Sequence, residues 1–178
     1  MTAQLPQSQT TSSSDLYEQD FYLWIQTTAE LLKQGRLTEL DLENLIDEIE
    51  TMGRSEQKAL RSNLEMVLMH LLKYNYQAEK RSGSWRATIR EHRKRIRQAL
   101  EESPSLKPYF YEVFGLCYDD ARLLAADETE LDVAIFPEQS PFTPEQALDP
   151  DFLPEPYITF EFGAKRRDCP TAPISNNI

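Results

Sequence analysis

The chain has 178 residues, enough for one domain with a buried core, and its 28% charged and 40% hydrophobic residues describe a globule, not a disordered polymer. A net charge of −11 opposes binding to DNA or an anionic membrane unless a local patch dominates. Two isolated cysteines, Cys117 and Cys169, exclude a disulfide framework or a cysteine metal knuckle, and no apolar run approaches the roughly 18 residues that span a bilayer.

Residues 1–14 are rich in Ser, Thr and Gln, so this segment is expected to be disordered. It has neither the basic nor the apolar stretch of a secretion signal, which makes a cytoplasmic location the expectation. A first helix is predicted over Leu16–Gln34, capped by Asp15 with Glu18 and stopped by Gly35. Its apolar stripe is Tyr17, Phe21, Trp24, Thr28, Leu31 and Leu32. A second helix runs from the Thr38 cap to just before Gly53, with Leu42, Leu45, Ile46, Ile49 and Met52 facing inward. Glu43, Asp47 and Glu50 fall on a separate acidic ridge of it.

The third helix, about Ser55–Ala78, is apolar nearly all round and is therefore placed at the centre. Ser84 caps a fourth over about Trp85–Glu101. A fifth, about Leu106–Asp127, opens at Ser105 with Pro108 in its first turn. Its stripe includes Phe110, Val113, Phe114, Cys117, Ala121 and Leu124, and within it Cys117 is expected to be a buried, inert thiol. Residues 132–160 hold six prolines among spaced aromatics and read as an extended arm on its own bundle or on a neighbouring subunit. Only Thr143-Pro144-Glu145-Gln146 looks helical there, and 161–178 is expected to be a disordered tail. The expected fold is all-α: an antiparallel bundle of about five helices over 15–131, followed by the arm.

Charge is segregated along this chain. Residues 73–97 carry nine Lys/Arg against two Glu, a local +7. On a helical wheel of 100° per residue, Arg93, Arg86, Arg97 and Arg90 lie at about 80° to 140° from Trp85. The four guanidinium groups form one ridge beside the buried stripe, suited to bidentate binding of carboxylate or phosphate. The ridge could pair with Glu43, Asp47 and Glu50 of the same chain, with an acidic surface of a second copy or another protein, or with a nucleic acid, for which Tyr74, Tyr76 and Trp85 could stack on bases.

Asn63, His70 and Gln77 make a polar seam on the third helix, and His92 lies on the buried stripe of the fourth. Hydrogen-bonded core histidines are the simpler reading; a metal site from His70, His92 and Glu48 is the sharper one. No Glu-x-x-His pair accompanies them, and no phosphate loop, dinucleotide fingerprint, zinc-protease motif or nucleophile elbow occurs. No cofactor is implied, and a protein without enzymatic activity is the favoured expectation.

The motifs LYEQDFYLW, DLENLIDEIETMGRSE, HLLKYNYQAEKRSGSWRATI, SPSL, FPEQSPFT and DPDFLPEP occur in that order. Over about residues 15–156 the chain resembles the bacterial family catalogued as domain of unknown function 29. That resemblance implies an all-helical, bundle-like cytoplasmic protein, with His70, Arg81, Ser84, Trp85, Arg86 and Arg93 in its characteristic block. It implies no activity, substrate or catalytic residue.

Together these features favour a helical interaction protein, self-associating as a homo-oligomer, with Arg86, Arg90, Arg93 and Arg97 meeting acidic surfaces. The alternative is a nucleic-acid-associated protein or metal-dependent nuclease that uses the same ridge for phosphates.

Overall fold

In the computed structural model, residues 13–157 are described. Of the segments expected to be disordered, 1–14 and 161–178, all but residues 13 and 14 lie outside that range, as do residues 158–160 of the arm. Among the described residues there are six α-helices: α1 (Ser13–Gln19), α2 (Phe21–Lys33), α3 (Leu42–Tyr76), α4 (Gly83–Glu102), α5 (Lys107–Thr129) and α6 (Pro144–Leu148). The all-α class holds, and no strand occurs among the described residues. None of these helices is long and apolar enough to cross a membrane.

The expected first helix is two. Asp20 leaves the helical region, at φ −150°, and its carboxylate accepts from the Leu23 amide 3.0 Å away, so it caps α2. At the other end, Gly35 sits at φ +70°, where a side chain would be strained, while its amide and that of Arg36 return to the Leu32 and Leu31 carbonyls. The expected second and third helices, conversely, are one. A short 3-10 turn covers Leu37–Glu39, Asp41 rather than Thr38 caps α3, and Gly53 continues the helix instead of ending it. Glycine lowers helix propensity by only about 1 kcal/mol, too little to break a 35-residue helix that is packed along its second half. Ser82, not Ser84, caps α4 through the Trp85 amide.

The core lies between the second half of α3, α4 and α5. Leu60, Leu64, Val67, Leu68, Leu71 and Leu72 of α3 are fully buried against Ile89 and Ile96 of α4 and Phe110, Cys117 and Ala121 of α5. Short links fix the directions. Trp85 stands beside Lys73 and His92 beside Asn63, so α4 runs antiparallel to α3. Asp120 faces Arg61 and Thr129 faces Gln77, so α5 runs parallel to α3 in an up-down-up arrangement.

The arm from 132 onward crosses this bundle. Phe136, Phe142 and Ala147 reach the core, and the Tyr157 amide donates to the Asn75 carbonyl at 2.9 Å. α6 carries a full capping box, with Thr143 and Gln146 bonded reciprocally.

The first half of α3 projects beyond the bundle. Residues 50–59 are all exposed, and farther out α2 faces α3 as a hairpin across an apolar groove. The stripe Leu42, Ile46, Ile49 and Met52, expected to face inward, is more than half exposed. Periodicity locates the apolar face correctly, but the chain supplies too little to cover it.

Candidate functional site

The arginine ridge of α4 divides in two. Arg86, Arg90 and Arg97 are exposed, and none of them joins an ion pair among the described residues. In particular, none reaches Glu43, Asp47 or Glu50; Glu50 pairs instead with Arg54 one turn along its own helix. The acidic ridge stands on the projecting half of α3, away from the bundled half that α4 packs against.

Arg93 is 2% exposed. Its Nε donates to the Ala147 carbonyl at 2.8 Å, Nη1 to Phe152 at 2.8 Å and Nη2 to Gln146 at 3.0 Å. The last carbonyls of any helix lack partners within it, and a five-residue helix is nearly all ends. One planar guanidinium therefore terminates α6 and holds the chain that follows. Burial pushes the group down to about 10, with Asp149 opposing, so it remains cationic at neutral pH.

The same device recurs along the arm. Arg122 donates to the Val133 and Phe136 carbonyls, Tyr118 to Pro137, and Arg81 to Pro154 and to Tyr74 in the last turn of α3. The Arg81 guanidinium also lies over the Tyr74 ring, 4.1 Å from its centroid. A proline-interrupted arm has no ladder to satisfy its carbonyls, and side chains of the bundle take that part. Sequence reasoning missed these roles of Arg81 and Arg122. The available signal was the six prolines, which implied carbonyls in need of donors.

His70 and His92 both have protein partners. The His70 Nδ1 lies 3.0 Å from the Met66 carbonyl, which requires that nitrogen to carry the proton. The Asn63 amide nitrogen is held by the Ala59 carbonyl, which turns its oxygen toward His92 Nδ1 at 2.8 Å. Burial lowers the pKa of both imidazoles. For His70 the Met66 bond opposes that shift and Lys73 reinforces it; for His92 Arg95 reinforces it.

Glu48 is not brought to them. It sits 22 residues before His70 on one continuous helix, about 33 Å at the helical rise, and accepts from the Tyr17 hydroxyl at 2.6 Å. The expected grouping His70, His92 and Glu48 is thus not assembled, because the helix expected to stop at Gly53 does not turn back. Among the described residues no cluster of three or more His, Cys, Asp or Glu could hold a metal ion.

Two further sites escape the helical wheels. Lys73, almost fully buried, donates to Glu128 and lies 4.6 Å from the centre of the Trp85 ring. Between α2 and α3 runs an apolar groove of about 390 Å³, lined by Phe21, Trp24, Ile25, Leu32, Ile49 and Met52 among others.

Fold and side-chain arrangement thus define an all-helical module with an arginine-clamped arm, an open basic face and an open apolar hairpin. The chain belongs to the family described as Domain of unknown function DUF29, matching it over residues 16–153. Comparison with curated proteins and with solved structures returned no match.

Proposed function

We propose that the protein is a self-associating interaction module whose exposed arginines on α4 engage acidic surfaces of proteins. The single observation that carries this is the division of the ridge. Arg93 is consumed by the arm, whereas Arg86, Arg90 and Arg97 remain in line on the solvent side without an acidic partner among the described residues. Lys94 on the same face is also exposed. Guanidinium groups spaced along one helix offer planar forks to carboxylates, and steering by such a patch persists over about one Debye length despite the net negative charge. A phosphate backbone is the other ligand this chemistry admits.

The test uses fluorescein-labelled decaglutamate and, separately, a single-stranded oligonucleotide of similar charge, with binding read by anisotropy at about 50 and 500 mM salt. The expected result is decaglutamate binding that weakens at least about tenfold at the higher salt and in an Arg86/Arg90/Arg97→Ala variant. Arg93 is left in place because it holds the arm. Equal binding by variant and wild type refutes the proposal, and binding of the oligonucleotide alone transfers the ridge to nucleic acid.

A further inference from the structure

We infer that the α2–α3 hairpin is a docking surface for a second copy of this chain, with two hairpins closing into a four-helix bundle. This goes beyond the ridge proposal, which it does not use; the two share only the expectation of self-association.

The hairpin is incomplete as it stands. α2 has 13 residues and buries only Trp24 and Thr28, whereas isolated helices of that length are marginal in water. Phe21, Ile25, Leu32, Ile46, Ile49 and Met52 are each between 43% and 68% exposed. The Trp24 indole N–H is the only buried side-chain polar atom left without a partner among the described residues. Among the described residues, α1 meets this surface only at its edge, where Tyr17 packs edge-on against Phe21 and Trp24 and donates to Glu48, and the six side chains stay open.

Area and pattern favour a copy of the same surface as the cover. At about half exposure, six large apolar side chains offer roughly 500–600 Å², the apolar centre of an interface of about 800 Å² per partner. On α3 the stripe Leu42, Leu45, Ile46, Ile49 and Met52 occupies about 120° of the helix, and α2 presents a similar stripe from Phe21 to Leu32. Two antiparallel helices with stripes of that width are half of a four-helix bundle. Glu43, Asp47 and Glu50 project from a different side of α3, so a twofold pairing leaves these like charges at its periphery. Glu48, the carboxylate nearest the groove, is already bonded to Tyr17.

The experiment is light scattering behind size exclusion at about 1–50 μM protein and about 50 and 500 mM salt, with helicity by circular dichroism. Wild type, Ile46→Glu/Ile49→Glu and Arg86/Arg90/Arg97→Ala are compared. Both isoleucines are more than half exposed, so the monomer should tolerate the glutamates. The expected result is a wild-type dimer at both salts, since apolar contacts are not screened. The hairpin variant should be a monomer of undiminished helicity, with a dissociation constant raised at least about a hundredfold, and the ridge variant a dimer. If the double variant loses helicity, Met52→Glu, at the most exposed of these positions, decides the matter in its place.

A wild-type monomer at the highest concentration overturns the inference, as does a hairpin variant that remains dimeric. Dissociation by the ridge variant alone also overturns it while leaving the ridge proposal standing. A chain ending at Tyr157 that dimerises when the full chain does not would make residues 158–178 the occupant and would overturn it too.

Discussion

Replacing Arg93 with alanine removes the donor of three backbone bonds at once. The carbonyls of Gln146, Ala147 and Phe152 accept from its three nitrogens at 2.8–3.0 Å, in a site closed to solvent. A hydrogen bond to a charged group contributes about 1.5–3 kcal/mol, so the three together are worth roughly 5–9 kcal/mol before the burial of the guanidinium is counted. That burial is costly, as the lowering of its pKa to about 10 shows, and removing the group returns part of the sum. The expected net loss is about 3–5 kcal/mol, the range typical of stranding partners in a buried polar cluster. Arg93→Lys should recover less than half of it, because one ammonium cannot present a planar fork to three carbonyls. Arg90→Ala, one turn away on the exposed face, should stay within about 0.5 kcal/mol of wild type. Urea denaturation followed by circular dichroism gives the three numbers. Hydrogen exchange at the Ala147 and Asp149 amides, which bond within α6, reports whether the arm is released first. An Arg93→Ala protein within about 1 kcal/mol of Arg90→Ala would refute the arm-clamping role.

Three other outcomes follow from the geometry. Gly53→Ala should stabilise the protein by about 0.5–1 kcal/mol, because Gly53 lies inside α3 at negative φ with open space where the alanine methyl would stand; destabilisation in thermal melts would mean that the helix ends there. The lowered pKa of His70 and His92 means that the unfolded chain binds protons more readily than the folded one, so stability is full above about pH 6.5 and falls as pH drops below it. His70→Gln should flatten that fall in denaturation midpoints taken between about pH 7.5 and 5; a slope identical to wild type would remove His70 as its source. The Cys117 thiol, pushed up to about 11 chiefly by burial, should resist a thiol reagent in a Cys169→Ser background until the protein unfolds, whereas prompt labelling in the folded state would show that the core opens there.

Local sequence signals described much of this architecture because their causes are local. The Thr143-Pro144 cap, the Gly35 stop and the apolar periodicity of α3 and α5 each depend on a few neighbouring residues. The errors arise where two weak signals compete. Asp20 breaks the first helix because its carboxylate satisfies an amide that the helix would leave free. Gly53 fails to break α3 because packing of the distant half, from Leu60 to Leu72, outweighs one unfavourable residue. That single continuation separates Glu48 from the histidines, and the acidic ridge from the arginines that a turn at Gly53 would have let it meet.

The arginine ridge shows what a helical wheel leaves undetermined. Angles of about 80° to 140° grouped four arginines, yet the one nearest the buried stripe, Arg93, became structural while its neighbours stayed in water. The difference is made by an arm more than fifty residues later, whose carbonyls arrive within bonding distance only in the folded chain. The hairpin poses the converse case. Its stripes are as regular as those of the core, but burial is a property of what lies opposite. Within residues 13–157 the two helices and Tyr17 bury only Trp24 and Thr28 of α2 and leave the rest of the stripes about half exposed. An amphipathic pattern thus specifies a surface to be covered without specifying which chain covers it, and the regularity of this one is the reason to seek its counterpart in a second copy.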